Sequence, residues 1–344
     1  MGELTVSSMG MPADVRGRSS GVSEGDTAGR PKYWEDIEHS ENHRAQLDLV
    51  PPGSRVLEIG AGPGHMSRAL VAKGCTVTAV EQDEALAASA RHTCQRLIIS
   101  DVESQDFESL LGEERFEVVL LGDVLEHLRD PEEFLRRLRT HLGPSGRLVV
   151  CLPNVAHGAV RLSLLEGRFD YTSEGLLDRT HLRFFTLSSL REMFRAAGYT
   201  ITDLRRIRRG FFATEIRLDP AAVPLATLRL LCRDPEAATY QFVFRAKPEH
   251  STACRADTEA GSWSRSEVRQ LTSAMRYDYK QFGRESLFSR PPDVHGARRL
   301  FYRAFRLAPS IWGLSRLLVT FLPYPIIDGL DRVNGARRRG ATRR

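Results

Sequence analysis

The chain has 344 residues, of which 41% are hydrophobic and 27% charged, and a net charge of +5. These are the proportions of a globular protein with a sizeable core, not of a fibrous, low-complexity or membrane-embedded chain. Five scattered cysteines with no CxxC spacing argue against a zinc ribbon or a disulfide framework and point to a reducing, cytoplasmic setting.

Residues 1–31 are rich in Gly, Ser and charge and lack the apolar run of a signal peptide, so the segment is expected to be disordered. Lys32 to Leu49 reads as a helical lead-in, and Pro51 to Ser54 breaks it. Next comes RVLEIGAGPGHMSRAL, Arg55 to Leu70, an aliphatic run followed by Gly60, Gly62 and Gly64 and then by helix-forming residues. That pattern predicts a strand, a tight glycine turn and a helix, with a polar ligand held against the helix N-terminus. The dinucleotide fingerprint needs a third glycine at the sixth position, where this chain has His65, so a nicotinamide oxidoreductase is disfavoured.

The stretch from Glu58 to Gly64, E-I-G-A-G-P-G, resembles the first motif of the class I S-adenosylmethionine-dependent methyltransferases. The resemblance implies S-adenosyl-L-methionine as cofactor. Gly60, Ala61, Gly62 and Gly64 would lie against its methionine part, and Glu58 would support the turn and the amino group. Later residues fall in step. Cys75 to Val80 reads as a strand ending at Glu81 and Gln82, about 20 residues past the first glycine, where an acid accepts ribose hydroxyls in a doubly wound fold. Leu97 to Ile99 leads to Asp101 and Val102, which the resemblance sets beside the adenine. Phe116 to Leu121 leads to Gly122 and Asp123, and Arg147 to Leu152 leads to Pro153 and Asn154. Any one such acid reads equally well as a turn residue or helix cap.

The alternation of strands and helices predicts an α/β, doubly wound, mainly parallel sheet; the resemblance makes it seven-stranded, Rossmann-like and closed by an antiparallel pair. Pro131 to Leu142 and Leu187 to Ala197 read as amphipathic helices, and Tyr199 to Arg206 and Thr239 to Ala246 as the last strands. Residues 154–186 are too long for an ordinary connection, so they read as a lid or substrate loop. The expected organisation is a catalytic domain over 32–248 and a basic helical extension over 249–344. The extension carries 18 Lys plus Arg against 9 Asp plus Glu. Leu300, Phe301, Ala304 and Phe305 share one helical face there. Residues 298–328 would pack on the catalytic domain or a second subunit, or lie on an anionic membrane; nucleic acid is not an expected partner.

Methyl transfer to a hydroxyl needs an aligned acceptor and a proton acceptor. His127, after the fourth strand, is the candidate base, with a helix-capping or loop-ordering role as the structural alternative. His157 and His181 would line the acceptor side, and Arg161 and Arg183 would either hold an anionic group or pair with nearby acids. Tyr33, Trp34 and His43 of the lead-in would face the site or serve packing. The DRTHLRFFT segment resembles bacterial methyltransferases of sugars and secondary metabolites, which implies a sugar, glycolipid or secondary-metabolite hydroxyl as acceptor. Asp123, Glu126, His127 and His181 also resemble the metal-binding set of small-RNA 2′-O-methyltransferases, in which a divalent metal activates the ribose hydroxyl. A non-catalytic binding module attached through the basic tail is the competing class.

Overall fold

The computed structural model describes residues 40–249, 279–280, 282–283, 286, 293–307 and 317. Seven strands form one sheet: β1 (Arg55–Ile59), β2 (Thr76–Glu81), β3 (Arg96–Ile99), β4 (Phe116–Gly122), β5 (Leu142–Pro153), β6 (Tyr199–Arg208) and β7 (Thr239–Pro248). Their order is β3-β2-β1-β4-β5-β7-β6. The first five run parallel, and β7 is antiparallel to both β5 and β6. The chain order reverses between β1 and β4, and a doubly wound sheet takes its ligand in the crevice beyond such a switch point.

Helices cover both faces because the central strands are apolar on both sides. On one face lie α1 (Glu41–Leu49) and α2 (His65–Ala72), whose Ala45, Leu49, Met66 and Leu70 pack on Val56, Val77 and Val118. The short α3 (Glu84–Ala90) follows β2, its N-terminus capped by Asp83. On the other face, α4 (Phe107–Leu111), α5 (Pro131–Leu138) and α7 (Leu187–Ala196) bury Phe107, Phe134, Leu138 and Phe194 against Leu57, Val119 and Phe244. The helix expected to reach Leu142 stops at Leu138. A 3-10 turn over Arg139–His141 follows, and β5 begins at Leu142 opposite Phe116, with a register shift before Val118 meets Arg147.

Residues 154–186 are a closed excursion rather than an open loop. Its ends meet in a parallel bridge between Asn154 and Phe185, where the Val155 N–H donates to the Phe185 carbonyl at 2.9 Å. Within it, α6 (Gly158–Leu165) is buried on one side. Beyond β6 comes α8 (Leu225–Leu231), and in the extension α9 (Val294–Leu307) packs on it. Ala297, Leu300, Phe301 and Ala304 of α9 are buried, so the apolar face foreseen in the sequence is covered by the protein itself and is not a membrane-facing one. Residues 1–39 and the apolar segment 311–322, Leu317 excepted, lie outside the described residues, as do Tyr33 and Trp34. No described helix is long and apolar enough to cross a membrane.

Asn154 carries the junction of the sheet and the excursion. Its fully buried amide donates to the carbonyls of Glu236 at 3.0 Å and Thr239 at 2.8 Å and accepts from the Ala156 N–H at 3.0 Å. Replacing it with alanine takes a donor from the buried Thr239 carbonyl and one from the part-buried Glu236 carbonyl, which keeps the Thr239 N–H. Asn154→Ala is expected to lose about 2–4 kcal/mol of stability in urea unfolding, whereas a surface change such as Leu165→Ser costs less than about 0.5 kcal/mol.

Candidate functional site

The glycine turn after β1 is fixed from two directions. The N–H groups of Gly60 and Ala61 donate to the Val80 carbonyl at 2.9 and 3.0 Å. The Glu81 carboxylate accepts from the Gly62 N–H at 2.7 Å through Oε2, and from Gln82 and Asp83 N–H at 2.8 and 2.9 Å through Oε1. Glu81, expected to face a ribose, therefore also acts as the clasp of the turn. Below it, the buried Glu58 carboxylate accepts from the Ser67 hydroxyl. Burial pushes its pKa from 4.5 up to about 7, and the neighbouring Glu81 adds to the rise.

Gly62 and Gly64 both have positive φ, 53° and 85°, but for different ends. A Cβ on Gly64 would lie 2.2 Å from the Thr93 hydroxyl and 2.9 Å from the Ala90 backbone, so Gly64 lets α2 meet α3. A Cβ on Gly62 would meet nothing within 4 Å, so its open side is available to a ligand. Opposite the turn, Gly122 ends β4, and a Cβ there would lie 2.6 Å from Oε1 of Gln46 on α1. Gln46 is only 1% exposed, and neither its amide oxygen nor its nitrogen has a hydrogen-bond partner. An open glycine face, a carboxylate clasp and an orphaned buried amide at the switch point fit a polar cofactor. At the β3 exit, Val102 is buried and the exposed Asp101 accepts from the Glu103 N–H at 2.8 Å.

A second cluster starts where β4 ends. Asp123 adopts φ 53°, its N–H donates to the Cys151 carbonyl at 3.1 Å, and its Oδ1 accepts from Gln241 Nε2 at 2.7 Å. Such a strained non-glycine residue beyond a central strand is a common mark of a functional site. Burial raises its pKa, which the nearby His43 partly offsets. A 3-10 turn over Leu125–His127 follows. The Glu126 carbonyl there accepts from the N–H groups of Leu182 at 2.8 Å and Arg183 at 3.0 Å, which pins the excursion onto the β4 exit. Asp178 shapes the incoming loop by accepting from the Thr180 N–H at 2.8 Å and its hydroxyl at 2.7 Å.

Glu126, His127 and His181 thereby come together, with one ligand atom from each within 4.8 Å of the others. The two imidazoles meet edge to face at 4.9 Å. His127 Nδ1 lies 3.1 Å from the Thr180 carbonyl. A carbonyl only accepts, so Nδ1 carries a proton, and in the neutral ring the lone pair is on Nε2. The Glu126 carboxylate is fully buried, both oxygens lack a partner, and burial together with the charges of Asp123 and Asp178 holds its pKa well above the usual range. Asp123 is not among the three converging residues; its carboxylate is engaged by Gln241 instead.

The structure corrects the place expected for His157. It is fully buried, its Nδ1 accepts from the Ala159 N–H at 3.2 Å as the cap of α6, and its Nε2 donates to the Arg209 carbonyl at 3.1 Å. With Phe211 and Tyr240 edge-on against its ring, it stays neutral, burial pushing its pKa down to about 4. Arg161 is paired with Asp234, and Arg183 donates to the Arg129 carbonyl, so both hold structure. Arg168 is the residue that pairs with Glu166 and Asp170. Gln46 and Gln241 are the site residues the sequence reading missed.

Two outcomes are expected. Gly62→Ala will cost about 1 kcal/mol in folding but more than about tenfold in cofactor affinity by calorimetry, while Gly64→Ala will fail mainly by unfolding. Because the Glu58 pKa is raised on folding, from 4.5 to about 7, its contribution is full below pH 4.5 and is lost as pH rises through 7. The loss approaches about 3 kcal/mol. Urea midpoints at pH 5 and pH 8 will differ by less in Glu58→Gln than in the unaltered protein.

A model of the methyltransferase domain family matches residues 33–204. The chain is 31% identical over 157 residues to a ubiquinone biosynthesis O-methyltransferase of Azotobacter vinelandii, covering 44% of this chain and 67% of that one. A protein of the same name from Xanthomonas axonopodis is 30% identical over 161 residues, covering 45% and 66%. The chain thus spans about two thirds of the length of these relatives. Among solved structures, the Burkholderia thailandensis 1,6-didemethyltoxoflavin-N1-methyltransferase is similar at 21% identity and a TM-score of 0.39, covering 62% of this chain and 80% of that one. With half its length matched by the family model and the switch-point sheet around a Glu58-to-Gly64 turn, the chain belongs to the methyltransferase domain family and to the class I S-adenosylmethionine-dependent methyltransferases.

Proposed function

We propose that this enzyme is an O-methyltransferase: it uses S-adenosyl-L-methionine as methyl donor and acts on a hydroxyl of an acceptor with an apolar, aromatic-compatible body. The observation that carries the reading is the convergence of Glu126, His127 and His181 beside the donor's switch point. The donor takes the open face of Gly62, with Gly60, Ala61 and Gly64 shaping the turn, and Glu81 accepts from the ribose with the capacity its backbone bonds leave. Gln82, Asp101 and Val102 flank the adenine, and Gln46 and Gly122 meet the amino-acid end. His127 Nε2 takes the proton of the acceptor hydroxyl. When bound, the donor would supply an activated methyl group to that oxygen and leave as S-adenosylhomocysteine. An amine acceptor needs less base assistance, so the two imidazoles favour a hydroxyl.

The acceptor class rests on the wall that leads to the cluster. Tyr171, Phe169, Phe184 and His181 follow one another edge to face at centroid distances of 5.5, 5.6 and 6.1 Å. Leu182 and Tyr171 are exposed beside them. Such a wall favours a ring or chain over a bare sugar. The named function of the relatives, ubiquinone biosynthesis O-methylation, agrees with an amphipathic acceptor.

One observation favours a second reading, in which His127 Nε2 is a ligand and not the base. A buried carboxylate with two partnerless oxygens next to two imidazoles suits a divalent cation. Glu126, His127 and His181 would hold it, and a bound cation would lower the pKa of the acceptor hydroxyl.

Methyl transfer to catechols bearing alkyl chains of increasing length tests the function directly. Activity on a long-chain catechol with none on free sugars is expected, and the reverse order overturns the acceptor class. His127→Ala will lower kcat by about a hundredfold or more while donor affinity measured by calorimetry changes less than about threefold. Titration of the protein with magnesium or manganese alone will release heat that Glu126→Gln abolishes if the cation reading holds.

A further inference from the structure

We propose that the outer face of the α8–α9 layer is a docking surface for an anionic lipid membrane. The inner face of α9 is spent on the protein. Leu300 and Ala304 join Leu228, Leu231, Cys232, Phe211 and Tyr279 in one core. The Arg303 guanidinium, half-buried, donates to the Val223 carbonyl. What faces outward is of a different kind. Arg299 and Arg306 are exposed two helical turns apart, with Tyr302 between them at 45% exposure. The Arg306 guanidinium lies 5.9 Å from the Tyr302 ring centre, and Arg229 of α8 donates to the Arg306 carbonyl at 2.9 Å, which ties the two helices into one surface. On α8 the next residue, Leu230, is 66% exposed, and the exposed Arg233 follows one turn later.

The patch is one-signed. No Asp or Glu occurs between Pro220 and Arg233 or between Val294 and Leu307. None of Arg229, Arg233, Arg299 and Arg306 has a carboxylate partner among the described residues, whereas Arg161, Arg168 and Arg206 are all ion-paired. Four guanidinium groups without counter-charges complement a polyanion. The interleaved side chains choose which one. Leu230 offers an aliphatic tip with no use against phosphodiester or base edges, while Leu and Tyr beside arginines suit the headgroup boundary of a bilayer, where the apolar tips sink and the cations stay with lipid phosphates.

The test is co-sedimentation of the full chain with vesicles of phosphatidylcholine alone or with about one third phosphatidylglycerol. The protein should pellet with the anionic vesicles only and come off at about 0.5 M salt. Arg299→Glu/Arg306→Glu and Leu230→Ser/Tyr302→Ser should each weaken binding about tenfold or more. Unchanged melting and unchanged calorimetric binding of S-adenosylmethionine show that these variants are folded and that the donor site is unaffected. Equal binding to neutral vesicles, no binding to either, or undiminished binding by both double variants overturns the proposal. So does retention on single-stranded RNA in place of anionic vesicles, which would assign the patch to nucleic acid.

Discussion

Two backbone hydrogen bonds, from the N–H groups of Leu182 and Arg183 to the Glu126 carbonyl, set the geometry of the Glu126, His127 and His181 cluster. Without them the excursion over 154–186 would be a surface loop, and His181 would have no fixed relation to the β4 exit. With them, a residue more than fifty positions downstream meets His127, and the same loop supplies the Thr180 carbonyl that fixes the His127 tautomer. Each is worth only about 1 kcal/mol, so they hold because the excursion is also tied at its neck by Asn154 and Phe185. The arrangement of the cluster is thus borne largely by the backbone.

The electrostatics of the crevice point the same way. Three carboxyls around it, Glu58, Asp123 and Glu126, have raised pKa values, and burial is the leading cause in each case. Buried acids without cationic partners cost stability. A cationic ligand in the crevice would offset that cost. The cost falls where it has least effect on the fold, since Glu58 still bonds to Ser67 and Asp123 to Gln241. Among the described residues, Glu126 alone of the three has both carboxylate oxygens without a partner.

The glycine turn and the strand ends were legible in the sequence because they are local. Gly60, Gly62 and Gly64 form one turn, and acids at strand ends declare themselves through strand periodicity alone. The clasp role of Glu81 was not legible, since a carboxylate that accepts backbone N–H groups looks in sequence like one awaiting a ribose. His157 misled for a related reason: three residues after Asn154 at a strand exit, it occupies a site-like position, and only the packing of Phe211 and Tyr240, from residues far along the chain, turns it into a buried cap. Gln46 was missed because a lone glutamine on an amphipathic helix carries no periodic signal. Its meaning appears only when α1 is laid over Gly122.

The tail shows how far an amphipathic pattern can be trusted. Periodicity correctly marked Leu300, Phe301 and Ala304 as one face, but it cannot say what covers that face. Residues 210–238, between β6 and β7, supply Phe211, Leu228 and Leu231 to receive it, and Leu162 of α6 joins the same cluster. The excursion that carries His181 therefore rests, through α6, on a core to which the extension contributes. Once its apolar face is committed inward, the chemistry left to the outside of α9 is that of arginine and tyrosine, and the function of the layer has to be read from those residues.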